Sequence, residues 1–158
     1  MKKAFVIILI AIVAATSAFA FKFNSIGIET GLGGFYVSAD MDIVDNLDVY
    51  ARIGYIGAFS GAFGFSAGAQ YRVTDFKIDN TQVDFKPGAQ FNFGFADKTF
   101  IFSMLATLQF SFETGHLSAF LRPGIGFGLT SYKIADDTRR TSTGFAWTVE
   151  TGVAFLFK

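Results

Sequence analysis

Residues 62–73 read Ala62-Phe63-Gly64-Phe65-Ser66-Ala67-Gly68-Ala69-Gln70-Tyr71-Arg72-Val73. Phe63, Phe65, Ala67, Ala69, Tyr71 and Val73 make one alternate set, and Gly64, Ser66, Gly68, Gln70 and Arg72 make the other. A repeat of two puts the sets on opposite faces of an extended strand. The same order returns where Val83, Phe85, Pro87, Ala89, Phe91, Phe93 and Phe95 alternate with Asp84, Lys86, Gly88, Gln90, Asn92 and Gly94. The apolar set is too large, too aromatic and too continuous for the thin core of a soluble sandwich. A closed barrel with lipid outside and a polar lumen satisfies both sets at once.

Turn chemistry divides the rest of the chain around this stretch. Strand one is expected at about 23–32, then a turn at Gly33-Gly34 and strand two at 35–43. Asp45-Asn46 turns into strand three at 48–57, and Ser60-Gly61 leads into strand four at 62–73. A polar connection through Asp75, Asp79 and Asn80 precedes strand five at 82–95. Ala96-Asp97-Lys98 turns into strand six at 99–112, and Glu113-Thr114-Gly115-His116 into strand seven at 117–132. The longest connection, Ala135 to Thr143, carries Asp136, Asp137, Arg139 and Arg140 before strand eight at 144–157. The expected fold is an all-β, eight-stranded antiparallel up-and-down transmembrane β-barrel, with both termini periplasmic. Fusing strands one and two would give seven; the split is preferred because each piece reaches roughly the 9–11 residues a tilted crossing needs.

The first 20 residues stand apart. Lys2 and Lys3 precede an apolar run from Phe5 to Ala15, and Ala18-Phe19-Ala20 offers small residues at a cleavage site. Residues 1–20 are expected to be a cleaved signal peptide, and 21–158 the outer-membrane barrel domain. Removing two lysines leaves 11 basic against 13 acidic residues, so no basic excess points to nucleic acid. Cysteine is absent, so an exported domain here is held without disulfides. Every later apolar run is broken by Gly, Gln, Asn or a charge, which leaves strands as the means of spanning.

In this register no charged side chain points outward. Glu29, Asp40, Asp42, Asp48, Arg52, Arg72, Asp84, Lys86, Arg122 and Glu150 all point inward. Lys or Arg facing lipid at mid-bilayer would cost about 2–4 kcal/mol each. Tyr71, Phe85, Phe95, Phe112, Phe145, Trp147 and Phe157 lie outward near strand ends, where interfacial girdles form. Eight strands enclose a space that side chains can fill. Inward glycines such as Gly64, Gly68, Gly88, Gly124, Gly126 and Gly128 either make room for Tyr36, Tyr50 and Phe120 or line a narrow water path.

Lys86-Pro87-Gly88 and Arg122-Pro123-Gly124 lie 36 residues apart, with Arg52-Ile53-Gly54 and Glu29-Thr30-Gly31 at matching places. Strands of one direction thus send a charge inward at similar height. Arg52, Lys86 and Arg122 would repel unless carboxylates intervene. Glu29, Glu150 and Asp84 are the expected partners, with Asp40 and Asp42 near Arg72. A satisfied network of this kind can plug the bore. Both prolines fall on the outward phase and remove a ladder donor, which predicts a local irregularity at each.

Candidates for catalysis or metal binding are few. His116 is the single histidine, in a turn beside Ser118 and near Glu113, and is expected to be a solvated turn residue. Asp40, Asp42, Asp45 and Asp48 come nearest to a weak cation site, but Asp45 belongs to the turn and lumen salt bridges are the expected role of Asp40, Asp42 and Asp48. Gly31-Leu32-Gly33-Gly34 lacks the following helix of a phosphate loop. Arg139-Arg140 is too short for a nucleic-acid patch and could touch lipopolysaccharide phosphates, or be merely solvated. No cofactor is expected.

Val44-Asp45-Asn46-Leu47-Asp48-Val49-Tyr50-Ala51-Arg52-Ile53-Gly54 resembles the periplasmic turn and following strand of OmpA/OmpX-type small eight-stranded outer-membrane barrels. Arg122-Pro123-Gly124-Ile125-Gly126-Phe127-Gly128 and Gly152-Val153-Ala154-Phe155-Leu156-Phe157 resemble late strands of the same group. The resemblance implies an outer-membrane location in a diderm bacterium, surrounding lipid, and handling by periplasmic chaperones and the barrel-assembly machinery. It also implies an assembly signal at Val153, Phe155 and Phe157, here followed by Lys158. The connections assigned outside, except 135–143, are shorter than in members known as adhesins. The expected function is therefore structural, in a non-enzymatic monomeric barrel with a plugged lumen. A narrow pore for water, ions or very small solutes is the alternative, ahead of adhesion or lipid modification.

Overall fold

The computed structural model describes residues 22–31, 34–56, 62–134 and 138–157. The expected leader and its Ala18 and Ala20 cleavage site, the Gly33 turn position, Ser60-Gly61 and Lys158 lie outside these residues. The described chain is built of strands: β1 Lys22–Gly31, β2 Gly34–Val44, β3 Leu47–Ile56, β4 Ala62–Tyr71, β5 Thr74–Ile78, β6 Thr81–Ala96, β7 Thr99–Thr114, β8 Leu117–Lys133 and β9 Arg139–Leu156. Each pairs antiparallel with its sequence neighbour except β4 with β5; β1 pairs with β9, and β4 pairs with β6. That last pairing closes the sheet, because β4 and β5 share one strand position against β6. The result is a closed eight-stranded antiparallel up-and-down barrel.

Two departures from the sequence expectation share a cause. The polar connection after residue 73 contains a strand, β5, which continues β4 and pairs with Thr81–Phe85 of β6. Likewise β9 begins at Arg139, not 144, because Arg139–Thr143 pair with Leu129–Lys133 of β8. The charges in both segments suggest loops when strands are read by apolar alternation. Both segments are strands all the same, because each is held by hydrogen bonds to its neighbour and a charge in the segment does not break that ladder.

The two prolines sit at the irregularities. Gln70 pairs with Gly88 and Thr74 with Phe85, so three residues of the β4–β5 position face two of β6, Lys86 and Pro87. The extra residue makes a bulge opposite the missing Pro87 donor. Pro123 produces a gentler fault: β7 and β8 skip the pairing between Thr107–Gly124 and Phe110–Leu121 without changing register.

Register fixes the shape of the barrel. Starting at Ile28, the partners run through Val37, Ile53, Phe65, Phe93, Phe102 and Leu129 to Thr143, ten residues from Val153, with which Ile28 itself pairs. A shear of ten over eight strands at ordinary strand spacing tilts the strands by about 40° and gives a backbone radius of about 8 Å. Outward residues from Leu117 to Leu129 on β8 then climb about 30 Å, and Phe63 to Tyr71 on β4 about 20 Å, spans comparable with an apolar membrane belt.

The faces separate by polarity as the alternation predicts. Phe35, Ile53, Ile125, Phe127, Phe145, Trp147 and Val153 are each at least half exposed on the outside. Inside lie Glu29, Asp48, Arg52, Asp84, Lys86, Arg122 and Glu150, all buried, among Tyr50, Leu105, Phe120 and Leu156. The turns at Asn46, Asp79 and Gly115 take left-handed backbone angles and lie at the end that carries both termini.

Candidate functional site

Alternation on β1, β3, β8 and β9 sends Glu29, Arg52, Arg122 and Glu150 into the bore. Arg122 and Glu150 are opposite each other on adjacent strands, and Glu29 is opposite Gly152 of β9. Arg52 reaches them from across the lumen. Its Nη1 donates to Glu29 Oε2 at 3.1 Å and its Nη2 to Glu150 Oε1. Arg122 Nη2 donates to the same Glu29 oxygen, and its Nε lies 3.2 Å from Glu150 Oε2. Each guanidinium thus meets both carboxylates in a neutral four-membered ring. Arg122 is 1 % exposed and Glu29 3 %, so each ion has lost its water and depends on these partners.

Aromatic rings clamp the cations from the sides. The Arg52 guanidinium lies 4.5 Å from the centre of the Tyr36 ring, and Arg122 lies 4.2 Å from Tyr50 and 4.7 Å from Phe120. Such contacts are stronger in a site stripped of water. Amides extend the network across the barrel. Tyr50 donates its hydroxyl to Gln90 Oε1 at 2.6 Å, while Gln90 Nε2 donates to Glu150 and to Asn92. Arg52 Nη2 also donates to Asn92 Oδ1, whose Nδ2 reaches Ser103. Gln90, Asn92 and the cation-facing role of Tyr36 and Tyr50 do not emerge from charge counting. Their inward phase is legible in the sequence; their convergence across the bore is not.

A second group lies nearer the end with the termini. Lys86 Nζ donates to Asp48 Oδ2 at 2.7 Å and lies 3.7 Å from Asp84 Oδ2, which is also 3.3 Å from Arg72 Nε. Arg72 therefore pairs with Asp84, one of the expected partners, and its charge also acts on Asp42, near which the sequence reading placed it. Lys86 likewise joins Asp48 and Asp84 in place of the Glu29–Glu150 level, so similar spacing did not mean one common ring. Asp40 accepts from Ser25, and Asp42 stands opposite Asp48.

Glycine clears space for these groups. A Cβ on Gly68 would strike the Tyr50 ring, and one on Gly152 would lie 2.8 Å from Phe120. The cavity left beside the network, bounded by Ser25, Asp40, Lys86, Gln109 and Ser111 among others, is about 30 Å³, room for about one water.

The remaining candidates stand alone. His116 packs its ring on Phe155 at 5.6 Å, and its Nδ1 lies 3.2 Å from Leu156 O in the turn at the terminal end. Asp48 is taken by Lys86, and among the described residues no three potential ligands gather in a metal-binding group. Val153, Phe155 and Phe157 face outward, Phe157 packing on Phe23 at 5.2 Å while its amide donates to Asn24 O.

No family model matches the sequence, and no curated protein matches it. Among solved structures, a major outer membrane protein from Thermus thermophilus is similar, with 14% identity and a TM-score of 0.41 over 87% of this chain and 100% of that one. At that level the likeness carries no argument.

Proposed function

We propose that this chain is a small outer-membrane barrel of the OmpA/OmpX type, non-enzymatic and monomeric, with a structural role in the cell envelope and a closed lumen. The observation that carries the reading is the Arg52–Glu29–Arg122–Glu150 ring: four buried, mutually paired charges filling the bore of a barrel whose outside is apolar. The polarity supports lipid as the surrounding medium. A barrel of this kind would reach its place through periplasmic chaperones and the barrel-assembly machinery, with Val153, Phe155 and Phe157 as the terminal signal.

The deciding measurement is conductance of the refolded protein in a planar bilayer. The expected trace is flat, because opening the ring would leave charges unpaired in a site without water. Steady openings, abolished by bulky substitutions at Gly88 or Gly124, would replace this reading with a narrow pore.

A further inference from the structure

At the end that carries both termini, the sheet leaves β5 with a bare edge. β4 loses β3 as a neighbour after Tyr71, which pairs with Leu47, and the Arg72 amide donates to Asn46 O at 2.7 Å. The β2–β3 turn ends there, while the chain continues into β5. The Val73 amide donates to Phe85 O at 3.0 Å, and Thr74–Ile78 pair with Thr81–Phe85 of β6. Every residue of β5 is exposed. On the side away from β6, its alternate backbone N–H and C=O groups have no strand beside them among the described residues. An edge of this kind is a template for pairing with another chain.

The side chains along this edge fall into two sets. Phe76 stands opposite Val83 on the outward phase, with Thr74 and Ile78 on the same face, while Asp75 and Lys77 share the other face opposite Asp84 and Gln82. Asp84 is held by Arg72 and Lys86, whereas Asp75 and Lys77 have no ion-pair partner among the described residues. Antiparallel pairing is the more stable per residue. An antiparallel strand laid on the edge meets Ile78, Lys77, Phe76, Asp75 and Thr74 in that order. Opposite charges across a ladder stabilise it and like charges destabilise it, so the fitting order is apolar, acid, apolar, base, apolar. A second copy carries this order in its own β5. Two barrels upright in one bilayer, however, are related by rotation about its normal, which cannot turn a strand antiparallel to its copy.

We infer that β5 is a docking edge for an extended segment of another protein, added as an antiparallel strand with an acid beside Lys77 and a base beside Asp75. Backbone hydrogen bonds supply the attachment, and the two charges select direction and register. The membrane reading proposed above serves here only to set aside a second copy, and the edge is independent of whether the lumen conducts.

The test uses the full refolded barrel and two labelled peptides, Ser-Val-Glu-Val-Lys-Val-Ser and its charge-swapped form Ser-Val-Lys-Val-Glu-Val-Ser, with binding read by fluorescence anisotropy. The first should bind about five-fold tighter or more, as two cross-strand charge pairs imply. It should also slow hydrogen exchange at the β5 amides that face away from β6. The preference should reverse in D75K/K77D and vanish in D75N/K77Q, with gel-shift on heating to check that each variant folds. No binding, equal binding of both peptides to the wild type, a preference that survives D75N/K77Q, or binding that leaves β5 exchange unchanged would overturn the edge. Self-association of the barrel lost in D75N/K77Q would give the edge to a second copy and overturn the assignment too. Steady conductance with peptide selection intact would defeat the closed lumen and leave the edge standing.

Discussion

At the scale of single residues, the four charges of the ring cannot be treated one at a time. Removing one member strands its partners in a site without water. Glu29→Gln leaves Arg52 and Arg122 sharing Glu150 alone, and should destabilise the barrel by about 3–5 kcal/mol, read from urea unfolding in detergent or vesicles. The double change Glu29→Met with Arg52→Met removes one charge of each sign and should cost less than Glu29→Gln alone. A double variant weaker than the single would show that the ring is not electrostatically closed. The charges themselves are visible in the sequence because alternation places them on one phase. Which cation meets which carboxylate is not visible, since Arg52 and Glu150 are nearly a hundred positions apart and meet only across the closed bore.

At the scale of elements, hydrogen-bond pairing continues past the apolar belt in β5 and at the start of β9. Thr141 and Thr143 lie opposite Ser131 and Leu129 and pair only with β8, just as β5 pairs only with β6. Amide hydrogen exchange should therefore show protection in both Thr141–Thr143 and Thr74–Ile78 at the amides that face the partner strand. Exchange at 141–143 as fast as in an open loop would contradict the strand. Sequence reading missed both segments because it used apolar alternation as the signature of a strand, and charges interrupt that alternation here. The prolines tell the reverse story. Their lost donor is a chemical fact of the sequence, but the bulge opposite Pro87 needed β6 to be seen against both β4 and β5.

At the scale of the whole molecule, the barrel is inverted relative to a soluble protein. Trp147, the single tryptophan, is 58 % exposed on the outward face opposite Ile125. In vesicles its fluorescence should be blue-shifted and strongly quenched by lipids brominated along their chains. Emission like that of tryptophan in water, with no quenching by brominated lipid, would place this face outside the bilayer.

The sequence by itself determined the period, the two phases and their polarity, and from these an eight-stranded barrel with its charges inside. Those properties are local: strand geometry repeats every two residues, so a face can be read from neighbours a few positions apart. Only the tertiary structure decided the shear of ten, the split of one strand into β4 and β5, and the division of the lumen charges between the Arg52–Arg122 ring and the Lys86–Asp48 group. Each of these depends on closure. Closure sets how far one strand slides along the next, and with it which distant side chains share a level inside the bore.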